Sequence, residues 1–327
     1  MASIAAALPL RDLGSARSRT ATEPAILVEG LTKRYGTSVA VDGLSFAVER
    51  GEVFALLGPN GAGKTTTIEI LEGYRTADSG TVRVLGQDPR QRGDLRQRVG
   101  VMLQQSAIYP NIQVLEALRM FCAYYARPAD PQALLGLIGL EEKAGARFKT
   151  LSGGQKQRLS LGLALAGNPD LVFLDEPTAS MDPQARLVTW EVIGGMRARG
   201  VTLVLTTHYL EEAQALCNRV AMLQSGKVVA LDTMAALIKR VSGSQLLLWL
   251  APAQGQSRVQ LPASLTPLIS HVDSQATGCK LTLRVTDFTE VEPILAALRQ
   301  HGLVIEEMQL QQADLEDVFL QIMDGSQ

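Results

Sequence analysis

A glycine-rich loop at residues 58–66 directly follows the apolar run Val53–Leu57 and fits the pattern G-x-x-x-x-G-K-[ST]. Glycine lets the backbone turn tightly around a phosphate, and successive N–H groups then point into one concavity at the start of a helix. The lysine adds a mobile positive charge, and the hydroxyl after it is a ligand for a metal ion. The sequence therefore predicts an α/β fold with a P-loop that binds a nucleoside triphosphate and Mg²⁺. The residues assigned to the phosphates are Gly58, Pro59, Asn60, Gly61, Ala62, Gly63, Lys64, Thr65 and Thr66.

Composition narrows the class of protein. A chain of 327 residues predicts two domains, or one large domain with an appendage. The net charge of −2 gives no overall basic field, so we expect no nucleic acid as partner. Cys122, Cys217 and Cys279 are far apart and fit buried thiols better than disulfides or zinc ligands. No apolar run approaches the roughly 20 residues needed to cross a bilayer, so we expect no transmembrane segment.

The composition changes at two places along the chain. Residues 1–24 are rich in Ala, Ser and Arg; a transit peptide is one interpretation, but we expect a disordered tail. Residues 25–234 form the main domain, in which residues from about 106 to 150 have helical spacing. Residues 235–327 differ in character and predict a small, separate α+β module.

Apolar runs and turn residues predict the coarse secondary structure. In the main domain, strands are expected at Ile26–Val28, Val39–Val41, Leu44–Val48 and Val201–Leu205, and a hairpin around Ser225-Gly226. In the last module, the patterns predict strands at Lys280–Val285 and Val304–Leu310, a helix at Val291–Leu298, and a final helix from Asp314 to Met323.

A second apolar run, Leu171–Leu174, ends in Asp175 and Glu176. Such a run is typical of a strand covered on both faces, which delivers the carboxylates to its end. There Asp175 would hold Mg²⁺ through water and complete the site that Thr65 begins. Glu176 would accept a hydrogen bond from the attacking water, as general base or as a positioning group. The alternative, a solvated pair of carboxylates, is disfavoured by the P-loop upstream.

The stretch Leu151-Ser152-Gly153-Gly154-Gln155 predicts a second anion site. Ser152 can cap a helix, and the two glycines leave its first N–H groups bare. One nucleotide needs only one P-loop, so a second phosphate-binding surface requires an explanation. The alternative is an ordinary helix with a serine cap.

Together these motifs closely resemble the ATP-binding cassette (ABC) ATPases, whose signature is this pentapeptide. The resemblance covers residues 26–232 and continues through Lys156-Gln157-Arg158. It implies a P-loop NTPase fold with a mixed-sheet core, an antiparallel β subdomain and a helical subdomain. It also implies that the signature residues Ser152 to Gln155 bind the γ-phosphate of an ATP held by a second cassette, in a homodimer or a heterodimer.

Four further positions match motifs of this family. Tyr35 would stack on adenine, although an ordinary surface tyrosine is the alternative. Gln104 would bind the metal and sense the attacking water, with its neighbour Gln105 as a second candidate. Asp182 would contact the nucleotide site across the dimer. His208 would act as the switch histidine that donates to the γ-phosphate.

The resemblance also implies a function and partners. ATP hydrolysis with Mg²⁺ would drive a separate permease, with about six helices per subunit, at the cytoplasmic face of the membrane. Its coupling helix would dock beside the Gln104 loop and the helical region. Residues 108–116 and 313–320 look like those of bacterial drug- and antibiotic-export ATPases of the type-2 branch, which predicts export of a drug, antibiotic or lipid-like compound. The alternatives are an importer subunit and, less favoured, a soluble ABC ATPase outside transport.

Overall fold

A computed structural model describes residues 23–91, 93–102, 108–179, 181–241, 244–251, 261–275, 278–285 and 288–311. The chain divides into two compact units, Met1–Met234 and Ala235–Gln327. Several predictions fall outside the described residues. These are the tail up to residue 22, Gln104 and Gln105, and the final helix at 314–323.

Strands of the first unit form two sheets within its described residues. They are β1 (Ile26–Tyr35), β2 (Ser38–Val48), β3 (Val53–Leu57), β4 (Ser79–Val84), β5 (Val99–Met102), β6 (Leu171–Asp175), β7 (Thr202–Thr207), β8 (Arg219–Gln224) and β9 (Lys227–Asp232). The smaller sheet is antiparallel, in the order β2–β1–β4. The larger sheet has the order β5–β6–β7–β3–β8–β9, with β9 antiparallel to β8 and the other neighbours parallel. The predicted mixed-sheet core and antiparallel subdomain are confirmed.

The helices of the first unit follow its strands along the chain. They are α1 (Lys64–Leu71), α2 (Val114–Cys122), α3 (Pro131–Leu137), α4 (Gly153–Ala164), α5 (Pro183–Ala198) and α6 (Leu210–Leu216). Helix α7 (Met234–Val241) begins at the boundary between the units. Short 3₁₀ helices occupy Asp94–Gln97, Glu141–Lys143 and Phe148–Thr150. Both α3 and α5 begin with a proline behind a capping aspartate, Asp130 or Asp182, because proline fits the first turn and the carboxylate accepts its free N–H groups. No helix in the described part of the chain is long and apolar enough to cross a membrane.

The neighbouring strands β6, β7 and β3 form the centre of the first unit. Every residue in these three strands is buried. Parallel strands covered by helices on both faces take near-continuous apolar runs, and Val53–Leu57 and Leu171–Leu174 are of this kind. Phe54 and Phe173 are fully buried in the same core cluster, and burying such a side chain contributes about 1.5–3 kcal/mol. The ends of these strands are therefore held in fixed positions.

One strand prediction was wrong in its connectivity. The runs Val39–Val41 and Leu44–Val48 were expected as separate strands, but both belong to β2. The pairing of β2 with β1 shifts register beside Gly43. Gly43 has a φ of 69°, in the left-handed region that favours glycine. Gly43, which was expected to separate two strands, therefore accommodates an irregularity within one strand.

The second unit contains β10 (Ser244–Ala251), β11 (Ile269–Gln275), β12 (Gly278–Val285), α8 (Val291–Gln300) and β13 (Val304–Gln311), with 3₁₀ helices at Ala263–Leu268 and Phe288–Glu290. Its described strands form one antiparallel sheet in the order β11–β12–β10–β13, packed around residues such as Leu248, Leu281 and Leu298. The predicted strands and helix between 280 and 310 are confirmed. Strands β10 and β11 were not predicted, because neither alternates clearly between apolar and polar residues.

Gly100 and Gly194 predict opposite effects of the same substitution by alanine. A Cβ at Gly100 in β5 would lie 2.0 Å from the carbonyl oxygen of Ala164, at the end of α4. We expect Gly100→Ala to lower the free energy of unfolding by about 1–3 kcal/mol, because the strand and the helix must move apart. Urea denaturation measures this change.

Gly194→Ala is the matched control. Among the described residues, a Cβ at Gly194 in α5 would meet no heavy atom within 4 Å. Alanine should therefore raise the free energy of unfolding by about 0.5–1 kcal/mol, since glycine carries an entropic cost within a helix. An unchanged midpoint for Gly100→Ala would contradict the close approach of β5 to α4.

Candidate nucleotide-binding site

The candidate site lies where three adjacent parallel strands end. The P-loop follows β3, Asp175 and Glu176 end β6, and His208 follows β7. In open α/β sheets, ligands bind outside the carboxyl ends of the strands. The fold thus brings to one edge of the sheet three segments that are far apart in the sequence.

The P-loop glycines are required by the close packing of its backbone. A Cβ at Gly58 would lie 2.4 Å from the carbonyl oxygen of Leu223 in β8. A Cβ at Gly63 would lie 2.3 Å from the carbonyl oxygen of Ala40 in β2, and the φ of Gly63 is 98°. Because no larger residue fits at these two positions, the loop is fixed against both sheets while its tip remains exposed.

Lys64 is held inside this loop. Its Nζ donates hydrogen bonds to the carbonyl oxygens of Gly58, at 2.7 Å, and Pro59, at 3.1 Å. Burial lowers the pKa of the Lys64 ammonium, and the negative charges of Glu176 and Asp175 oppose that shift. The charge of Lys64 therefore lies where a phosphate cradled by residues 58–66 would be placed.

Asp175 and Thr65 fit the donor set that Mg²⁺ prefers. Asp175 is buried at the end of β6 and accepts a hydrogen bond from the hydroxyl of Thr206. Burial raises the pKa of the Asp175 carboxyl, the Thr206 bond opposes this, and Glu176 adds to it. Thr65 is exposed at the start of α1. Magnesium is typically bound by one or two protein oxygens together with phosphates and water, and a bound cation would favour the ionised form of Asp175.

Glu176 adopts a left-handed backbone conformation next to Asp175. Its φ is 48°, which is uncommon for a residue with a side chain. Its N–H donates to Thr206 Oγ1 at 2.9 Å, so one hydroxyl orients both acidic residues. Glu176 Oε1 lies 3.3 Å from His208 Nδ1. The carboxylate and the imidazole therefore form a pair at the edge of the site.

Glu212 supports this edge, although no sequence pattern predicted it. This buried residue of α6 accepts hydrogen bonds from Thr178 Oγ1 at 2.7 Å and from Trp190 Nε1 at 3.3 Å. It thereby ties the loop after Glu176 to α5 and α6. No local signal could have found it, because a glutamate beside Glu211 in a short helix resembles a solvated face.

The predicted cap at the signature sequence is present. Ser152 Oγ accepts from the N–H of Gln155 at 3.3 Å, and Gln155 Oε1 accepts from the N–H of Ser152 at 3.0 Å. This capping box begins α4. Ser152 and Gly153 are exposed, whereas a Cβ at Gly154 would already lie 3.0 Å from Ala185 Cβ. The N-terminus of α4 is therefore open to an approaching group on the side of Ser152 and Gly153.

The remaining candidates lie on loops and strand ends. Tyr35 ends β1 and is 42% exposed, with Lys33 Nζ 5.6 Å and Arg75 Cζ 5.5 Å from its ring centroid. A ring in this position is available for stacking. Asp182 is exposed and caps α5, accepting from the N–H of Ala185 at 2.8 Å. The structure does not describe Gln104.

A cavity of about 660 Å³ lies on the first unit, and Glu72 forms part of its wall. Among the described residues, neither buried carboxylate oxygen of Glu72 has a hydrogen-bond partner. Burial, aided by repulsion from Asp175 and Glu69, raises the pKa of Glu72 to about 8. Its carboxyl is therefore mostly protonated at neutral pH. The apolar part of the wall includes Leu71, Val99, Met102, Phe121 and Leu163.

Comparisons with known proteins indicate the class to which the chain belongs. The ABC transporter family matches residues 41–179. A Nod factor export ATP-binding protein I from Paraburkholderia xenovorans (strain LB400) is 40% identical over 306 residues, covering 92% of this chain and 97% of that protein. Its counterpart from Ralstonia nicotianae (strain ATCC BAA-1114 / GMI1000) is 38% identical over 309 residues, covering 91% and 94%. A solved ATP-binding subunit of an ABC transporter is 26% identical, with a TM-score of 0.59, covering 66% of this chain and 92% of that one.

The chain belongs to the ATP-binding proteins of ABC transporters. The predictions of this family and of its P-loop fold are confirmed. The protein binds ATP and hydrolyses it, and the hydrolysis is coupled to transport through a membrane permease.

The raised pKa of Glu72 predicts a dependence of stability on pH. The folded protein holds the Glu72 proton up to about pH 8, whereas an unfolded chain releases it near 4.5. Stability from this group is therefore complete below pH 4.5 and is lost as the pH rises to 8. The loss is at most about 1.4 kcal/mol per pH unit for one proton. Glu72→Gln should remove this component, so its stability relative to the wild type should grow between pH 5 and pH 9.

Urea denaturation at several pH values measures this difference. The control is Glu191→Gln, which changes an exposed glutamate in α5. It should follow the wild type at every pH, because all other titrating groups are shared. A constant offset between Glu72→Gln and the wild type would show that Glu72 is not protonated in the folded state.

Proposed function

We propose that this protein powers an exporter, and that its cargo is a drug, an antibiotic or a lipid-like compound. Two relatives support export as the direction of transport, because both are named for export of Nod factor. They are 40% and 38% identical and cover 92% and 91% of this chain. The sequence signals at residues 108–116 point to the same branch. An importer subunit is the alternative, and no observation on the structure favours it.

The edge formed by β3, β6 and β7 carries the proposed chemistry. Lys64 and the N–H groups of residues 58–66 would hold the phosphates, and Tyr35 would stack on adenine. Thr65 and Asp175, with Gln104, would hold Mg²⁺, which neutralises charge developing on the phosphate oxygens. Phosphoryl transfer needs mainly positioning and electrostatic stabilisation.

Glu176 and His208 would act on the reacting atoms. Glu176 would accept a hydrogen bond from the attacking water, as general base or positioning group. His208 Nδ1 lies 3.3 Å from Glu176 Oε1. The other ring nitrogen of His208, Nε2, would donate a hydrogen bond to the γ-phosphate. The single observation that carries the assignment is that the P-loop, the two carboxylates and this histidine meet at one sheet edge.

The open N-terminus of α4 supports a dimer of cassettes. Ser152 caps this helix and, with Gly153, is exposed. We infer that Ser152, Gly153, Gly154 and Gln155 close on the γ-phosphate held by a second cassette, and that Asp182 contacts the same interface. The second cassette is a copy of this chain or a related one.

The cavity next to Glu72 supports a position for the permease. It has apolar walls that include Met102 and Ile108, which flank Gln104 in the sequence, and Phe121 of α2. Apolar concave surfaces of this kind accept a helix from a partner. We infer that the permease, with about six helices per subunit, docks a cytoplasmic helix here. The protein would then lie at the cytoplasmic face of the membrane, bound through the permease and not to nucleic acid.

Glu176→Gln tests the assigned chemistry. Glutamine keeps the shape but lacks the charge that activates water, so we expect ATP to bind normally while kcat falls by about 10²-fold or more. Because ATP then persists, the variant should also accumulate as a dimer. Phosphate release and size-exclusion chromatography with ATP measure the two effects. Wild-type turnover in this variant would refute the role of Glu176.

A measurement of the direction of transport requires the permease together with this protein. Vesicles that contain both proteins can be prepared with this protein on the outside, so that ATP added outside reaches only cassettes in that orientation. Accumulation of an amphiphilic fluorescent compound inside would indicate export, because the inside of such a vesicle corresponds to the cell exterior. The matched control contains Glu176→Gln. Loss of a preloaded compound, dependent on ATP, would instead support the importer.

A further inference from the structure

A stack of side chains leads from the start of α5 to His208. The guanidinium carbon of Arg186 lies 4.5 Å from the ring centroid of Tyr209. The ring of Tyr209 in turn lies 4.0 Å from the imidazole of His208, centroid to centroid, at an interplanar angle of 39°. His208 Nδ1 is 3.3 Å from Glu176 Oε1. Tyr209 thus contacts the side chain that the proposed mechanism requires at the γ-phosphate, and Arg186 contacts Tyr209.

Arg186 is part of the same helical turn as Asp182. The N–H of Arg186 donates to the carbonyl oxygen of Asp182 at 3.0 Å, and the N–H of Ala185 donates to the Asp182 carboxylate at 2.8 Å. The sulfur of Met181 accepts from the hydroxyl of Thr189, one turn further along the helix, at 3.5 Å. These bonds fasten the loop at 181–182 to α5, so a displacement of Asp182 carries Arg186 with it.

The environment of Arg186 favours the contact with the ring. Its side chain is only 18% exposed, and its Nε has no hydrogen-bond partner in the part of the chain that the structure describes. Its ion pair with Glu211 is long, at 3.6 Å, and Glu211 is 78% exposed. Exposed ion pairs contribute little to stability because water screens them, whereas a desolvated cation over an aromatic face contributes more. The face of Tyr209 is therefore the principal partner of this guanidinium.

The backbone of Tyr209 is also fixed. Its N–H donates to Thr207 Oγ1 at 3.0 Å, and Thr207 is buried at the end of β7. The carbonyl oxygen of Thr207 accepts from the N–H of Gly58 in the P-loop, at 3.4 Å. The backbone of Tyr209 is therefore held in place. Its ring lies between Arg186, which can move with Asp182, and the imidazole of His208.

We propose that Arg186 and Tyr209 are positioning residues for His208 and couple its orientation to the loop at Asp182. This inference rests on the proposed roles of His208 and Asp182. When a second cassette contacts Asp182, the first turn of α5 moves Arg186, and the stacked ring of Tyr209 then sets the distance of His208 from Glu176 and from the γ-phosphate. The stack makes hydrolysis depend on closure of the dimer.

The test compares variants that remove the stack with variants that preserve it. Tyr209→Leu and Arg186→Met remove the ring and the charge, and each should lower kcat about tenfold or more, since misplaced catalytic groups lose rate steeply. The KM for ATP should change less than about twofold, because the P-loop is untouched. Tyr209→Phe keeps the ring and should recover most of kcat. Glu211→Gln, at the exposed ion pair, is the matched control and should resemble the wild type.

Double variants separate positioning from general damage to the fold. If both residues act through one stack, the combination of Tyr209→Leu with Arg186→Met should be no slower than the slower single variant. In a His208→Ala background, neither substitution should lower the residual rate further. Additive losses, or equal losses in the His208→Ala background, would overturn the proposal.

The controls also distinguish this inference from the function on which it rests. If His208→Ala hydrolyses ATP as fast as the wild type, the role of His208 itself is wrong. If His208→Ala is slow but Tyr209→Leu and Arg186→Met retain wild-type kcat, the histidine role stands and the positioning stack is refuted. Thermal unfolding of each variant, expected within a few degrees of the wild type, confirms that the compared proteins are folded.

Discussion

The parallel pairing of β3, β6 and β7 is the constraint on which the site depends. These strands are buried on both faces, so their register is fixed by packing as well as by hydrogen bonds. A one-residue slip of β6 would reverse the faces of Asp175 and Glu176. The hydroxyl of Thr206 in β7 then makes the final adjustment, because it donates to one acidic side chain and accepts from the backbone of the other. The packing of the core therefore also sets the geometry of the candidate catalytic residues.

Much of this arrangement could be predicted because its signals are local. A P-loop needs glycine where the backbone approaches a neighbour, and Gly58 and Gly63 have Cβ positions blocked by carbonyl oxygens. The serine cap of α4 and the apolar run before Asp175 are equally short patterns with one physical explanation each. Such patterns also defined the family, which the comparisons confirmed.

Other features could not be predicted because they arise only when distant segments meet. Glu72 caps the end of α1 and has the sequence character of a surface residue, yet its carboxylate is buried beside a cavity. Arg186 and Tyr209 are 23 positions apart in the sequence (209 − 186), and no spacing rule pairs them. Strand β10 was missed because periodicity alone does not distinguish a short continuous apolar run from a segment of buried helix, and no motif follows it as one follows Val53–Leu57 and Leu171–Leu174.

The left-handed backbone conformation of Glu176 has a consequence for the evolution of related ATP-binding proteins. A residue with a side chain at a φ of 48° costs about 1 kcal/mol relative to glycine, and that cost is met by the rest of the fold. If a cassette of this kind lost its need to hydrolyse ATP, nothing would maintain the strained residue. Glycine or asparagine would then be the stabilising replacement, and a relative with either residue here would be a candidate for a cassette that binds ATP without turning it over.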